Sequence, residues 1–141
     1  MKSILKKFDL KKHSIKEYKN WYLLLRKDQV TIGAMVLIEK SFQTNYSEIS
    51  KESFIEFSTI VHEIENVLKK LFKYDKINYL MLMMVDNEVH YHVIPRYEND
   101  ILFEGQKFTD TGWPGMPDLS FNNKIDQNIK LKLIKLIKDS L

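Results

Sequence analysis

The stretch Glu88-Val89-His90-Tyr91-His92-Val93-Ile94-Pro95-Arg96 decides how the rest of the chain is read. Side chains on a strand alternate between two faces. Glu88, His90, His92, Ile94 and Arg96 therefore share one face, and Val89, Tyr91, Val93 and Pro95 share the other. The Val/Tyr/Val face suits packing under a helix. The opposite face gathers a carboxylate, two imidazoles and a guanidinium at steps of about 7 Å. Such a row is costly on a strand unless it lines a cleft. Three chemistries fit it. An imidazole can be a phosphorus nucleophile that forms a covalent phosphoramidate. Two imidazoles and a carboxylate can bind a divalent metal. The row can also be an exposed sheet face with no chemistry.

Upstream, Ile77 to Val85 is a near-continuous apolar run of strand length, the pattern of a central strand covered on both faces. Its methionines at 81, 83 and 84 read as packing filler. Asp86-Asn87 follows as a two-residue hairpin turn, since both residue types tolerate positive φ. Further upstream, Ser50 is a plausible N-cap, with Ser53 and Glu56 as an alternative capping box. Phe54, Phe57, Val61, Ile64, Leu68 and Leu71 recur at steps of three and four, which predicts a long helix with one buried stripe. His62 lies off that stripe and reads as solvated. Trp21 to Leu25 and Ala34 to Ile38 read as two strands joined through a polar connection and Gly33.

Residues 98–122 form a long connection without firm periodicity, holding Gly105, Gly112, Gly115, Pro114 and Pro117. Loops of that length are usually functional or disordered, and the aromatics Phe103, Phe108, Trp113 and Phe121 argue against disorder. Trp113 is read either as a lid or wall over the motif face or as an aromatic plug that anchors the loop. Ile125, Ile129, Leu133, Ile137 and Leu141 repeat every four residues and predict a C-terminal amphipathic helix with lysines on its polar side.

The fold class read from these elements is α+β: an antiparallel sheet of about five strands, one long helix and a C-terminal helix. Four strands can be placed, and the fifth is expected from residues 42–49 or 98–110. Residues 1–20 are read as a basic segment, helical or a loosely docked arm. Residues 21–122 form the main domain, and residues 123–141 form the helix that packs on it.

A chain of 141 residues, 44% hydrophobic and 29% charged, is about one ordinary globular domain. It has no cysteine, which excludes a disulfide framework, a thiolate zinc site and a cysteine nucleophile. No apolar run reaches the roughly 18 residues a membrane span needs, and the cytoplasm is the expected location. The net charge of +3 is unevenly spread. Residues 1–20 carry seven lysines against Asp9 and Glu17, and residues 123–141 carry five against Asp126 and Asp139. The middle, 21–122, therefore carries 10 − 15 = −5. A groove that tracks a nucleic-acid backbone wants cations over one folded face, so nucleic acid is not an expected partner.

With its strand context, the quoted stretch resembles the histidine triad (HIT) family of nucleotide hydrolases and transferases. The family motif is His-φ-His-φ-His-φ-φ, often followed by Pro-Arg, on the strand after an apolar strand. The order of hairpin, long helix, strand and motif strand matches too, and so does Gly33 before the second strand. The resemblance covers about residues 21–97.

By position, His90 looks like the family's nucleophile and His92 like the histidine that supports the phosphate. Glu88 stands where the family has its first histidine. In the family that residue's backbone carbonyl orients the nucleophilic imidazole, and Glu88 still offers a carbonyl. As an anion its side chain repels phosphate. Family members commonly have Asn where Arg26 stands and His where Ala34 stands, and they have a longer loop before the motif.

The resemblance implies nucleotidyl transfer through a covalent nucleotidyl-His90, with Glu88 and His92 as further catalytic residues. Arg96, Arg26 and Trp113 are the substrate-binding candidates. The substrate is expected to be a nucleotide or dinucleotide, no cofactor or metal is required, and the relatives suggest a homodimer. The alternatives are a nucleotide-binding module that has lost turnover, or a metal-dependent hydrolase built on Glu88, His90 and His92.

Overall fold

The computed structural model of the chain describes residues 1–141. Two short helices, α1 (Ser3–Lys7) and α2 (Leu10–His13), lead into strands β1 (Ser14–Glu17), β2 (Trp21–Leu25) and β3 (Met35–Glu39). The long helix α3 (Lys51–Phe72) follows, then β4 (Lys76–Leu80) and β5 (His90–Arg96). A small hairpin of β6 (Ile101–Phe103) and β7 (Gln106–Phe108) precedes the C-terminal helix α4 (Gln127–Ser140). The first five strands form one antiparallel sheet in the order β1-β2-β3-β5-β4.

Both faces of this sheet are covered, which explains why β2 and β3 are continuous apolar runs instead of alternating ones. One face carries Trp21, Leu23, Leu25, Met35, Leu37, Tyr91 and Val93, packed on Ile60, Ile64, Val67, Leu68 and Phe72 of α3. As the alternation predicts, the Val89/Tyr91/Val93 side of the motif lies under the helix. The other face presents Leu24, Val36 and Ile38, and α1 with its neighbour Phe8 covers them through Ile4, Leu5 and Phe8.

α3 starts where the cap signal places it: the Ser50 side chain accepts the Ser53 N–H. Its buried stripe is rotated from the expected one. Ile60, Val67 and Phe72 are buried, whereas Phe54 is exposed and Val61 only half-buried. Two buried polar contacts fix the rotation, because Trp21 Nε1 donates to the Ser53 carbonyl at 2.9 Å and Ser53 Oγ donates to Glu39 at 2.7 Å. His62 is solvated, as read from the sequence.

The fifth strand is β1, from the N-terminal segment, not from residues 42–49 or 98–110. Residues 1–20 show weak periodicity because their apolar side chains serve opposite faces of the sheet. Ile4, Leu5 and Phe8 cover the histidine side, while Ile15 joins the α3 side.

The apolar run 77–85 is also not one strand. β4 stops at Leu80, lies at the sheet edge and is only half-buried. Met83 takes φ 51°, and residues 81–89 form a loop, so no two-residue turn at Asp86-Asn87 joins the strands. Leu82, Met84 and Val85 are exposed along that loop. The methionines divide accordingly: Met81 and Met83 pack against the core and Met84 does not.

The connection 98–122 contains the β6–β7 hairpin, whose turn residues Glu104 and Gly105 both take positive φ. Phe103 and Phe108 pack beside Phe72. α4 is capped by Asp126, which accepts the Ile129 N–H at 2.8 Å, and buries Leu133, Ile134 and Ile137.

Candidate active site

Register alone brings the histidines onto the face opposite α3. Ile38 pairs with His90 and Val36 with His92 across β3, and Leu80 pairs with His92 across β4. The two imidazoles sit 5.2 Å apart, edge to face. The Phe8 ring lies 6.0 Å from each. His90 is 2% exposed and His92 8%.

His90 Nδ1 lies 2.6 Å from the Glu88 carbonyl oxygen. A carbonyl only accepts, so Nδ1 carries a proton, and in the neutral ring Nε2 keeps its lone pair. Glu88 precedes β5, and its carbonyl is therefore free of the sheet ladder. His92 Nδ1 faces a different partner, Arg26 Nε, at 3.2 Å. Burial first, then the Arg26 guanidinium, with a smaller contribution from the neighbouring His90 ring, push the His92 pKa down to about 4.

Both imidazoles line a cavity of about 210 Å³, whose walls include Lys7, Phe8, Arg26 and the 82–86 loop. A neighbouring hollow of about 160 Å³ shares Lys7, Phe8 and Arg26 and adds Lys27 and Asp28. Lys7 Nζ meets Asp86 at 2.7 Å, so the N-terminal segment and the 81–89 loop are tied to one another beside the histidines. Burial lowers the Arg26 pKa, but a guanidinium stays charged at any physiological pH.

Arg96 and Trp113 are placed elsewhere. Arg96 is buried and pairs through Nε and Nη2 with Asp110, at 2.8 and 3.1 Å. Its Nη1 donates to Asn78 Oδ1 and to the Gly115 carbonyl, each at 2.8 Å. Arg96, a substrate-binding candidate from the sequence, is thus held in a structural ion pair away from the histidines. Trp113 lines a separate cleft of about 550 Å³ with Arg96, Lys76, Asn78 and Met116. That cleft is larger than the histidine cavity, but neither imidazole lines it. Glu88, His90 and His92 do not converge as a three-donor metal set. The Nδ1 atoms of both imidazoles are already engaged, by the Glu88 carbonyl and by Arg26.

The structure thus brings together His90, His92, the Glu88 carbonyl and Arg26, and it adds Lys7, Phe8 and Asp86, which sequence reasoning missed. The only sequence signal for Phe8 was its helical spacing from Ile4. The spacing does not say which face of the sheet that turn covers.

A family model described as the HIT domain matches residues 7–99. No match is found among curated proteins. Among solved structures, a histidine triad protein from Sinorhizobium meliloti superposes with a TM-score of 0.77 at 17% identity, covering 100% of this chain and 96% of that one. A histidine triad protein from Bradyrhizobium japonicum gives 0.72 at 17% identity, over 99% and 96%. The diadenosine triphosphate hydrolase of Plasmodium falciparum, solved with cyclomarin A, gives 0.65 at 15% identity, over 92% and 76%. At these identities the likeness is one of fold. The domain match, spanning the motif strand and well over half of the residues, shows the kinship: the chain belongs to the histidine triad (HIT) family.

Proposed function

We propose that the chain is a nucleotide hydrolase or nucleotidyl transferase. It acts on the α-phosphate of a dinucleoside polyphosphate or a nucleoside phosphoramidate through a covalent nucleotidyl-His90. The observation that carries this reading is the 2.6 Å contact between His90 Nδ1 and the Glu88 carbonyl. It leaves the Nε2 lone pair as the one nucleophilic atom of that ring.

In the first step the Nε2 lone pair forms an N–P bond at the α-phosphorus, and the P–O or P–N bond to the leaving group breaks. The leaving group departs with the bonding pair and takes up a proton from solvent. The Nδ1 proton stays on the ring, and its positive charge is stabilised by the Glu88 carbonyl. In the second step water, phosphate or another nucleophile attacks the same phosphorus, the N–P bond breaks, and Nε2 regains its lone pair. The His92 imidazole and the cations Arg26 and Lys7 hold the non-bridging oxygens. None of these bond changes requires a metal or a cofactor. Arg96 has no part in this reading, because Asp110, Asn78 and Gly115 occupy its donors. Trp113, in the separate cleft, has none either. A homodimer fits the unpaired outer edge of β4, which leaves a strand free for a second copy.

The test is turnover of a diadenosine polyphosphate and of adenosine phosphoramidate by wild type and by His90→Ala, with nucleotide release followed chromatographically. The reading expects release by wild type and none by His90→Ala. Release undiminished in a clean His90→Ala preparation removes His90 as nucleophile. Binding without release by wild type leaves a nucleotide-binding module.

A further inference from the structure

Arg26 has a contact that a substrate-binding role alone does not explain. Its Nε lies 3.2 Å from His92 Nδ1. A guanidinium has only donors, so His92 Nδ1 must accept and its ring proton must reside on Nε2. We propose that Arg26 is a positioning residue that fixes His92 as the neutral Nε2–H tautomer, so that His92 meets the phosphate as a hydrogen-bond donor rather than as a base or a cation. The meeting with phosphate rests on the nucleotidyl-transfer reading above. The tautomer does not.

The local fold gives Arg26 this reach and holds it there. Leu25 pairs with Met35 and Met35 with Val93, so Arg26 lies one residue beyond the β2–β3 ladder on the histidine face. Its backbone N–H donates to the Ala34 carbonyl at 2.9 Å, and its own carbonyl accepts from Gln29 Nε2 at 2.7 Å. Nη1 donates to the Asp28 carbonyl at 3.2 Å. Backbone and side chain are thus both anchored. Just before β3, between Arg26 and the motif strand, stands Ala34, fully buried and with only a methyl group as its side chain.

The two imidazoles are therefore held in opposite tautomers by two different devices. A backbone carbonyl sets His90 as Nδ1–H, with Nε2 free to attack. A side-chain cation sets His92 as Nε2–H, with Nε2 able only to donate. The charged and titratable groups facing His92 are Arg26, His90, Lys7 and Asp86, with Phe8 closing the other side. Only Asp86 favours the imidazolium, and it is already paired with Lys7. Burial and the cations together keep His92 neutral at physiological pH, in the same sense as the tautomer lock.

The experiment is long-range ¹H–¹⁵N NMR of the imidazoles in the uniformly ¹⁵N-labelled full chain, across pH 5 to 8. Wild type is expected to show His92 with a lone pair at Nδ1 and a proton at Nε2, and the neutral form of His90 with the reverse, both without nucleotide. In Arg26→Leu, His92 should become a tautomer mixture and titrate more than about one pH unit higher, while His90 keeps its pattern. Arg26→Gln, whose amide N–H can still donate, should restore the tautomer without the charge. A wild-type His92 protonated at Nδ1 overturns the proposal with no variant needed. So does an Arg26→Leu protein, folded by its amide spectrum, whose His92 pattern and titration are unchanged. If the patterns are as expected but no nucleotide is turned over, the proposed function fails and the tautomer assignment stands.

Discussion

The Glu88 carbonyl oxygen and His90 Nδ1 lie 2.6 Å apart, so the orientation of His90 is set by main chain and not by a side chain. Any residue at position 88 can supply that carbonyl. The acidic side chain at position 88 therefore leaves the orientation of His90 intact. The Glu88 side chain does not line the histidine cavity, so under the proposed function its effect on an incoming phosphate is a repulsion between like charges rather than a contact.

Removing that charge should help an anionic substrate. Glu88→Gln keeps the carbonyl and the size of the side chain, so kcat/KM for a dinucleoside polyphosphate should rise severalfold at low salt, and the gain should shrink as salt screens the charge. Steady-state kinetics at two ionic strengths check this. A loss of more than about tenfold would instead give the carboxylate a chemical role.

The Arg96–Asp110 pair should matter for stability and not for chemistry. Both side chains are nearly inaccessible, at 5% and 1% exposure. Arg96→Ala leaves Asp110 as a buried carboxylate without its cation, which costs about 3–5 kcal/mol. Denaturant unfolding should show that loss. The double variant Arg96→Met/Asp110→Leu, with no stranded charge, should recover much of it. Catalysis per folded molecule should stay within a few-fold of wild type in the double variant.

Acid should weaken the fold through two buried histidines. His92 is depressed to about 4, and burial also lowers His13, whose Nε2 has no partner. Both groups bind a proton more readily in the unfolded chain, near 6.5, than in the folded one. Stability is therefore full above about pH 6.5 and is lost progressively as pH falls toward 4. Melting temperatures across pH 4–7 should trace this slope, and His92→Gln should flatten it.

Phe8 links the N-terminal segment to both imidazoles. Phe8→Ala should cost about 3–5 kcal/mol as a buried aromatic truncation. It should also loosen the cavity wall, raising KM more than it lowers kcat. An unchanged KM in the folded variant would mean the segment packs beside the site without shaping it.

Much of the fold was legible because it is written in periodicity. The period-two alternation of 88–96 assigned the Val89/Tyr91/Val93 face to the helix, and the structure agrees; it left the histidine face open between a cleft and a bare sheet face, and the structure puts the histidines on a cavity. The cap read at Ser50 lies at the start of α3. What was illegible depends on contacts distant in sequence. The α3 stripe turns toward Ile60 and Phe72 because Ser53 is held by Trp21 and Glu39, and no local pattern reports that. The run 77–85 has the composition of a buried strand, but its second half leaves the sheet at Leu80 to wall the histidine cavity. Residues 1–20 hid their part because Ile15 and Phe8 face opposite sides of one sheet. In the site, spacing put His90 and His92 on one face but left their chemistry open, and their roles came from the resemblance of the motif to the HIT family. The Arg26–His92 contact needed the register of three strands.

The central claim is a bond between His90 Nε2 and the α-phosphorus. The direct measurement is rapid quench into alkali during turnover of a diadenosine polyphosphate, followed by mass spectrometry of the peptide that carries residues 88–96. The account predicts a nucleotidyl increment on His90 that forms and decays at least as fast as steady-state turnover. Turnover without that adduct, or an adduct on any other residue, would contradict it.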